Sequence, residues 1–190
     1  MKPAFLQARE ALDALLADDR ACREAERTAE ALAGCLRTGG KLLICGNGGS
    51  SCDAAHFAEE LTGRYRNDRR PLAAIACTDV GHITCTANDY GFESVFSRWV
   101  EALGRPGDIL IVLSTSGNST NITRAIAAAT PLGLRTVALL GKDGGAAKGT
   151  CDHEIIVPGS GSDRIQELHM LILHAWVEAI ESRLFPRRQA

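Results

Sequence analysis

The sequence predicts a doubly wound α/β fold, a five-stranded parallel sheet with helices on both faces, and two observations carry that prediction. Short apolar runs recur along the 190 residues with helical patterns between them, the alternation that builds parallel sheets with right-handed crossovers. Two of these runs end in loops that open helices, Gly46-Asn47-Gly48-Gly49-Ser50-Ser51 and Ser114-Thr115-Ser116-Gly117-Asn118-Ser119. In the strand order 2-1-3-4-5 the first and third strands are neighbours at the switch point, where ligands bind outside the carboxyl ends. That order is an assumption at this point, and it explains why one chain carries two such loops.

The elements follow in order. From Phe5 to Arg37 apolar residues recur at helical spacing (Phe5, Leu6, Leu12, Leu15, Leu16, then Ala25, Ala29, Leu32, Leu36), with a break near Asp18-Asp19. Gly39-Gly40 ends this arm. Residues 1–38 are therefore a helical arm before an α/β domain at 39–190, the whole forming one structural unit. Lys41 to Cys45 is the first strand, Ser51 to Arg64 a helix, Leu72 to Cys77 the second strand and Ile109 to Leu113 the third. A helix from about Ser119 to Pro131, a strand from Arg135 to Leu140 and a fifth from Glu154 to Val157 come next. A long helix from Ser162 or Asp163 to about Phe185 closes the pattern.

Composition excludes several classes. The formal net charge of -2 offers no electrostatic footprint for nucleic acid or an anionic membrane. Seven cysteines fall without a C-x-x-C pair, several inside strand-like runs, and read as reduced, mostly buried thiols. No apolar run reaches membrane-spanning length, and Gln7, Arg9 and Glu10 interrupt the only stretch that a leader would need. The expectation is a cytoplasmic protein.

Both loops suit a phosphate. Glycines let backbone N–H groups approach an anion, the helix N-terminus adds partial positive charge, and hydroxyls supply donors. Neither loop carries the Lys of a nucleotide P-loop, and a dinucleotide fingerprint would need glycine at Ser51. A monophosphate on a small polyol fits better. Alone, the first loop could be only a tight turn and the Ser/Thr loop only a hydroxyl-rich cap; the two together are much more specific.

Cys52, His56 and Glu60 recur every four residues on one face of the helix after the first loop. His56 and Glu60 suit a divalent metal, Glu60 suits a general base, and a solvated surface face is the plain alternative. On the last helix Gln166, His169 and His174 lie among apolar residues. Asp163-x-x-Gln166 matches a capping box, and His174 is equally a candidate core histidine. Gln166 and His174 stand about 12 Å apart along a straight helix, so spacing does not establish a metal site.

From about Leu42 to Leu184 the chain resembles the bacterial phosphoheptose (sedoheptulose 7-phosphate) isomerases of the sugar-isomerase (SIS) domain superfamily, whose sheet has flavodoxin-like order. The resemblance rests on the two loops and on four further runs: His56-Phe57-Ala58-Glu59-Glu60-Leu61-Thr62-Gly63-Arg64-Tyr65, Asn88-Asp89-Tyr90-Gly91-Phe92, Gly141-Lys142-Asp143-Gly144-Gly145 and Asp163-Arg164-Ile165-Gln166-Glu167. Any one is weak; six in order are strong. The resemblance implies a homotetramer converting sedoheptulose 7-phosphate to D-glycero-D-manno-heptose 7-phosphate, the first step towards the heptose of lipopolysaccharide. By position it implies Asn47, Gly48, Gly49, Glu60, Asn88, Asp89, Ser114, Thr115, Ser116, Ser119 and Gln166 as substrate contacts, and Glu60 and His174 as acid and base. His56, Glu60, Gln166 and His174 match the family's zinc-ligand positions, one ion per subunit. Departures are Ser51 and the small Gly159-Ser160-Gly161-Ser162 loop before the last helix.

Two other readings stand beside this one. Replication-initiator-associating regulators share the domain without catalysis, but lack the carboxylate and last histidine that this chain keeps as Glu60 and His174. An isomerase or etherase of another sugar phosphate would use the same loops, which read phosphate and not carbon count.

Overall fold

A computed structural model describes residues 1–186. Two helices lead: α1 (Lys2–Leu16) and α2 (Asp19–Arg37). The break between them falls where Asp18 caps α2, its carboxylate accepting from the N–H groups of Arg20 at 2.9 Å and Ala21 at 3.1 Å. The rest alternates as β1 (Leu42–Gly46), α3 (Gly49–Thr62), β2 (Ala74–Ala76), α4 (Val80–Tyr90), α5 (Val95–Leu103), β3 (Ile109–Ser114), α6 (Thr120–Ala129), β4 (Arg135–Gly141), β5 (His153–Val157) and α7 (Ser162–Leu184). All pairings are parallel and the order is β2-β1-β3-β4-β5, the doubly wound order expected from the sequence.

Period-two alternation in the strands feeds two cores. Leu42, Ile44, Ile109, Ile111, Val137, Leu139, Ile155 and Val157 pack towards α2, α3 and α7. Leu43, Cys45, Leu110, Val112, Ala138 and Leu140 pack towards α5 and α6. The inner strands are thus buried on both faces, as parallel strands between helices must be. The arm joins the first core through Ala11, Leu15, Ala29 and Leu32, and the Trp176 indole N–H donates to the Ala25 carbonyl at 3.1 Å.

Between β2 and β3 the chain folds into two helices that the sequence reading does not place. In α4 only Thr86 is fully buried, so no apolar stripe marks it. The shorter α5 buries Val95, Phe96, Trp99 and Val100. The edge strand β2 is also shorter than the apolar run Leu72–Cys77, because the Leu72 N–H turns to the Leu61 carbonyl at 3.0 Å and not to the sheet.

Candidate active site

The register of the central strands brings the two loops side by side. Gly46, the last residue of β1, pairs with Leu113, one residue before the end of β3. Gly48 has φ +54 and precedes α3 without a side-chain cap; the Ser50 and Ser51 N–H groups turn back to the Asn47 and Gly48 carbonyls, each at 3.0 Å, which leaves the Gly49 N–H of the first turn. At the second loop Ser119 is the N-cap of α6 and its hydroxyl makes no cap bond; the Ile122 N–H donates to the Ser119 carbonyl at 3.0 Å, which leaves the Thr120 and Asn121 N–H groups for an anion.

The Ser/Thr loop is held from below. The Ser114 hydroxyl accepts from the Gly117 N–H at 3.0 Å and the Ser116 hydroxyl from the Asn118 N–H at 3.2 Å. Gly117 sits at φ +65 against Gly144, where any Cβ would collide with the Gly144 carbonyl. The Ala146 and Ala147 N–H groups donate to Asn118 Oδ1 and the Gly117 carbonyl, each at 3.0 Å. The Gly141–Gly145 run thus works as a seat for the loop. Asn88 and Asp89 lie exposed at the end of α4, bonded to each other at 2.7 Å. They are not among the residues around the cavity of about 210 Å³ beside Gly46, Asn47, Gly48 and Ser51.

A second constellation joins α3 to α7. Ligand atoms of His56, Glu60 and His174 all lie within 4.8 Å of one another. His56 Nε2 is 3.0 Å from His174 Nε2 and 3.3 Å from Glu60 Oε1. The His174 ring stacks on Tyr65, 5.7 Å between centroids, and the Arg66 guanidinium lies over the same Tyr65 ring, 5.0 Å from its centroid. Side-chain exposure of 44% at His56 and 16% at Glu60 leaves the cluster half open. Two imidazole nitrogens and a carboxylate oxygen this close are a donor set that fits one divalent ion.

Gln166 sits elsewhere, with the first loop. Its carboxamide lies where a Cβ on Gly49 would be, and its Nε2 donates to Asp53 Oδ1 at 3.2 Å. The capping box read at Asp163-x-x-Gln166 does not form: α7 starts at Ser162 behind Gly161, without a side-chain cap. Asp53 is buried, its other oxygen has no hydrogen-bond partner, and burial raises its pKa against the lowering effects of Gln166 and His56. His169 is a core residue, its Nε2 3.0 Å from the Leu140 carbonyl, and burial pulls its pKa down to about 4.

Sequence reasoning missed Asp53, Arg69 and Asn121. The Arg69 guanidinium, with a side chain 2% exposed, donates to the carbonyls of Glu60 at 2.6 Å and of Leu61 and Gly63 at 2.9 Å, and to Glu181 Oε1 at 2.8 Å. These are the orphan carbonyls at the end of α3. The interaction is long-range in sequence, so only a basic residue in a basic run was visible.

The fold and the paired loops define a sugar-phosphate-binding α/β domain, and residues 7–141 match the SIS domain family. A phosphoheptose isomerase of Fusobacterium nucleatum is 54% identical over 93% of this chain and 91% of its own length. One from Escherichia coli is 52% identical over 94% and 93%. The structure of a phosphoheptose isomerase from Neisseria gonorrhoeae superposes with a TM-score of 0.88 at 41% identity, covering 95% of this chain and 96% of that one. The chain belongs to the phosphoheptose isomerases of the SIS domain family.

Proposed function

We propose that this chain interconverts sedoheptulose 7-phosphate and D-glycero-D-manno-heptose 7-phosphate, supplying heptose for lipopolysaccharide. The observation that carries this is the meeting of His56, Glu60 and His174 in a chain more than half identical to phosphoheptose isomerases over nearly all its length. The ketose-to-aldose step removes a proton from C1, moves its electron pair into a C1–C2 double bond and protonates O2, giving an enediol. Loss of the O1 proton and return of a proton to C2 complete the aldose. Glu60 carries the carbon-bound proton and His174 manages protons on the oxygens, roles that require one carboxylate and one imidazole facing the same carbons. The two loops hold the phosphate.

His56, Glu60 and His174 are also the residues that would hold zinc, one ion per subunit, with Gln166 as the fourth family position. Bound there, zinc supplies Lewis-acid stabilisation of the enediolate. A homotetramer is the assembly we infer, in the cytoplasm. In support, Phe5, Leu16, Val80, Tyr90, Phe92 and Leu171 are exposed apolar residues in need of cover, and the seven cysteines are free thiols. In support too, Glu60 stands about 16 Å along α3 from Gly49, longer than an extended seven-carbon phosphate. The loops and Gln166 of one subunit then serve the His56, Glu60 and His174 cluster of another, and the arm over 1–38 is a subunit contact for the domain at 39–190. The test is turnover of sedoheptulose 7-phosphate beside fructose 6-phosphate. Clear preference for the heptulose supports the reading; preference for the hexose replaces it with another sugar-phosphate isomerase, and no turnover of either favours a regulator.

A further inference from the structure

The two loops meet at a pair of carboxamides. Asn47 Nδ2 donates to Asn121 Oδ1 at 3.0 Å, and Asn121 Nδ2 donates back to Asn47 Oδ1 at 2.8 Å. Asn47 belongs to the first loop, whereas Asn121 lies in the first turn of α6, two residues beyond Ser119. Amides joined along both edges are coupled: flipping one alone would set N–H against N–H and oxygen against oxygen. Each keeps one N–H and one carbonyl lone pair outside the pair. Asn121 is 3% exposed and closed in by the protein. Asn47 is half-buried at the cavity beside Gly48, Ser51 and Phe92, so it is the member open to a ligand.

Nothing else in the glycine-rich loop holds the Asn47 side chain, and an unpaired carboxamide there would have two free torsions to order at each binding event. We propose that Asn121 is a positioning residue that holds the Asn47 carboxamide ready for the sugar phosphate and ties the first loop to the α6 N-terminus, so that both loops grip one ligand. This rests on Asn47 meeting the substrate, as the function proposed above requires. Asn121 itself touches no substrate. Its effect therefore passes through Asn47 and vanishes when Asn47 is gone.

The test is a double-mutant cycle read in steady-state kinetics with sedoheptulose 7-phosphate, together with side-chain amide exchange in the ligand-free protein. Asn121→Ala should raise KM about tenfold, two hydrogen bonds' worth, and change kcat by less than about twofold. Asn121→Ser, a smaller disturbance of the buried site, should act in the same direction. In an Asn47→Ala background neither change should raise KM further. Multiplying KM effects, or an unchanged KM with only a lower melting temperature, would overturn the proposal by showing a purely structural residue. The exchange arm needs no substrate: the Asn47 Nδ2 protons should exchange at least about tenfold faster in Asn121→Ala, as expected when a protecting hydrogen bond is lost. Equal exchange overturns the pairing whatever the activity. A wild type that turns over no sedoheptulose 7-phosphate would count against the proposed function instead, and the exchange arm would still decide the pair.

Discussion

His169 and His174 sit five residues apart on α7 and have opposite surroundings. His174 is partly open beside His56 and Tyr65, whereas His169 is sealed against β4 with Nδ1 unpartnered and its pKa pulled down to about 4 by burial. A histidine with a depressed folded pKa stabilises the fold fully above its unfolded value near 6.5. Between there and about 4 the unfolded chain binds the proton that the folded one refuses, so that stability is lost as pH falls. The stability advantage of the wild type over His169→Leu should therefore shrink by on the order of 2–3 kcal/mol between pH 7 and pH 4.5. Urea unfolding of both proteins at the two pH values measures it. An advantage that stays constant would mean that His169 is protonated in the folded state, contrary to its burial.

At the scale of elements, the site depends on how firmly α3 is held against α7, since His56 and Glu60 ride on one and His174 on the other. Arg69 makes that connection by capping the α3 carbonyls while pairing with Glu181 of α7. Removing one partner of a buried pair strands the other, so Arg69→Met should cost about 3–5 kcal/mol in urea unfolding. A loss below about 1 kcal/mol, in the range of exposed ion pairs, would show that the clamp is not needed. The strands, the loops and α7 were legible in the sequence because apolar alternation and glycine punctuation are local signals. The helix α4 was not, because it buries only Thr86 and leaves no stripe to read, whereas α5 carried a legible stripe in Val95, Phe96, Trp99 and Val100 that went unassigned. In the site, His56 and Glu60 were legible by their four-residue spacing, but their meeting with His174, 118 residues from His56, is a product of the tertiary fold. Arg69, Asp53 and Asn121 were hidden for the same reason, as each acts on a partner far along the chain or across an element.

For the whole molecule, the proposed function makes assembly part of the chemistry, because the glycine-rich loop and the cluster of His56, Glu60 and His174 stand at opposite ends of α3. Light scattering should show about four chains. Mixed tetramers made by refolding Glu60→Gln chains with Ser116→Ala, Ser119→Ala chains should then be more active than either parent, because some sites would combine an intact cluster with intact loops. A mixture no better than its parents would place the complete site within one chain. Transfer of a proton between C1 and C2 by Glu60 through an enediol can be followed by running the reaction in deuterated water. Wild-type product should carry deuterium at C2, entering as the proton taken up by the half-open Glu60 carboxylate exchanges with solvent in the enediol state, and Glu60→Gln should turn over about 10²–10⁴-fold more slowly while still binding sedoheptulose 7-phosphate. Product formed without deuterium at C2, together with near-normal turnover by a folded Glu60→Gln protein, would contradict the account.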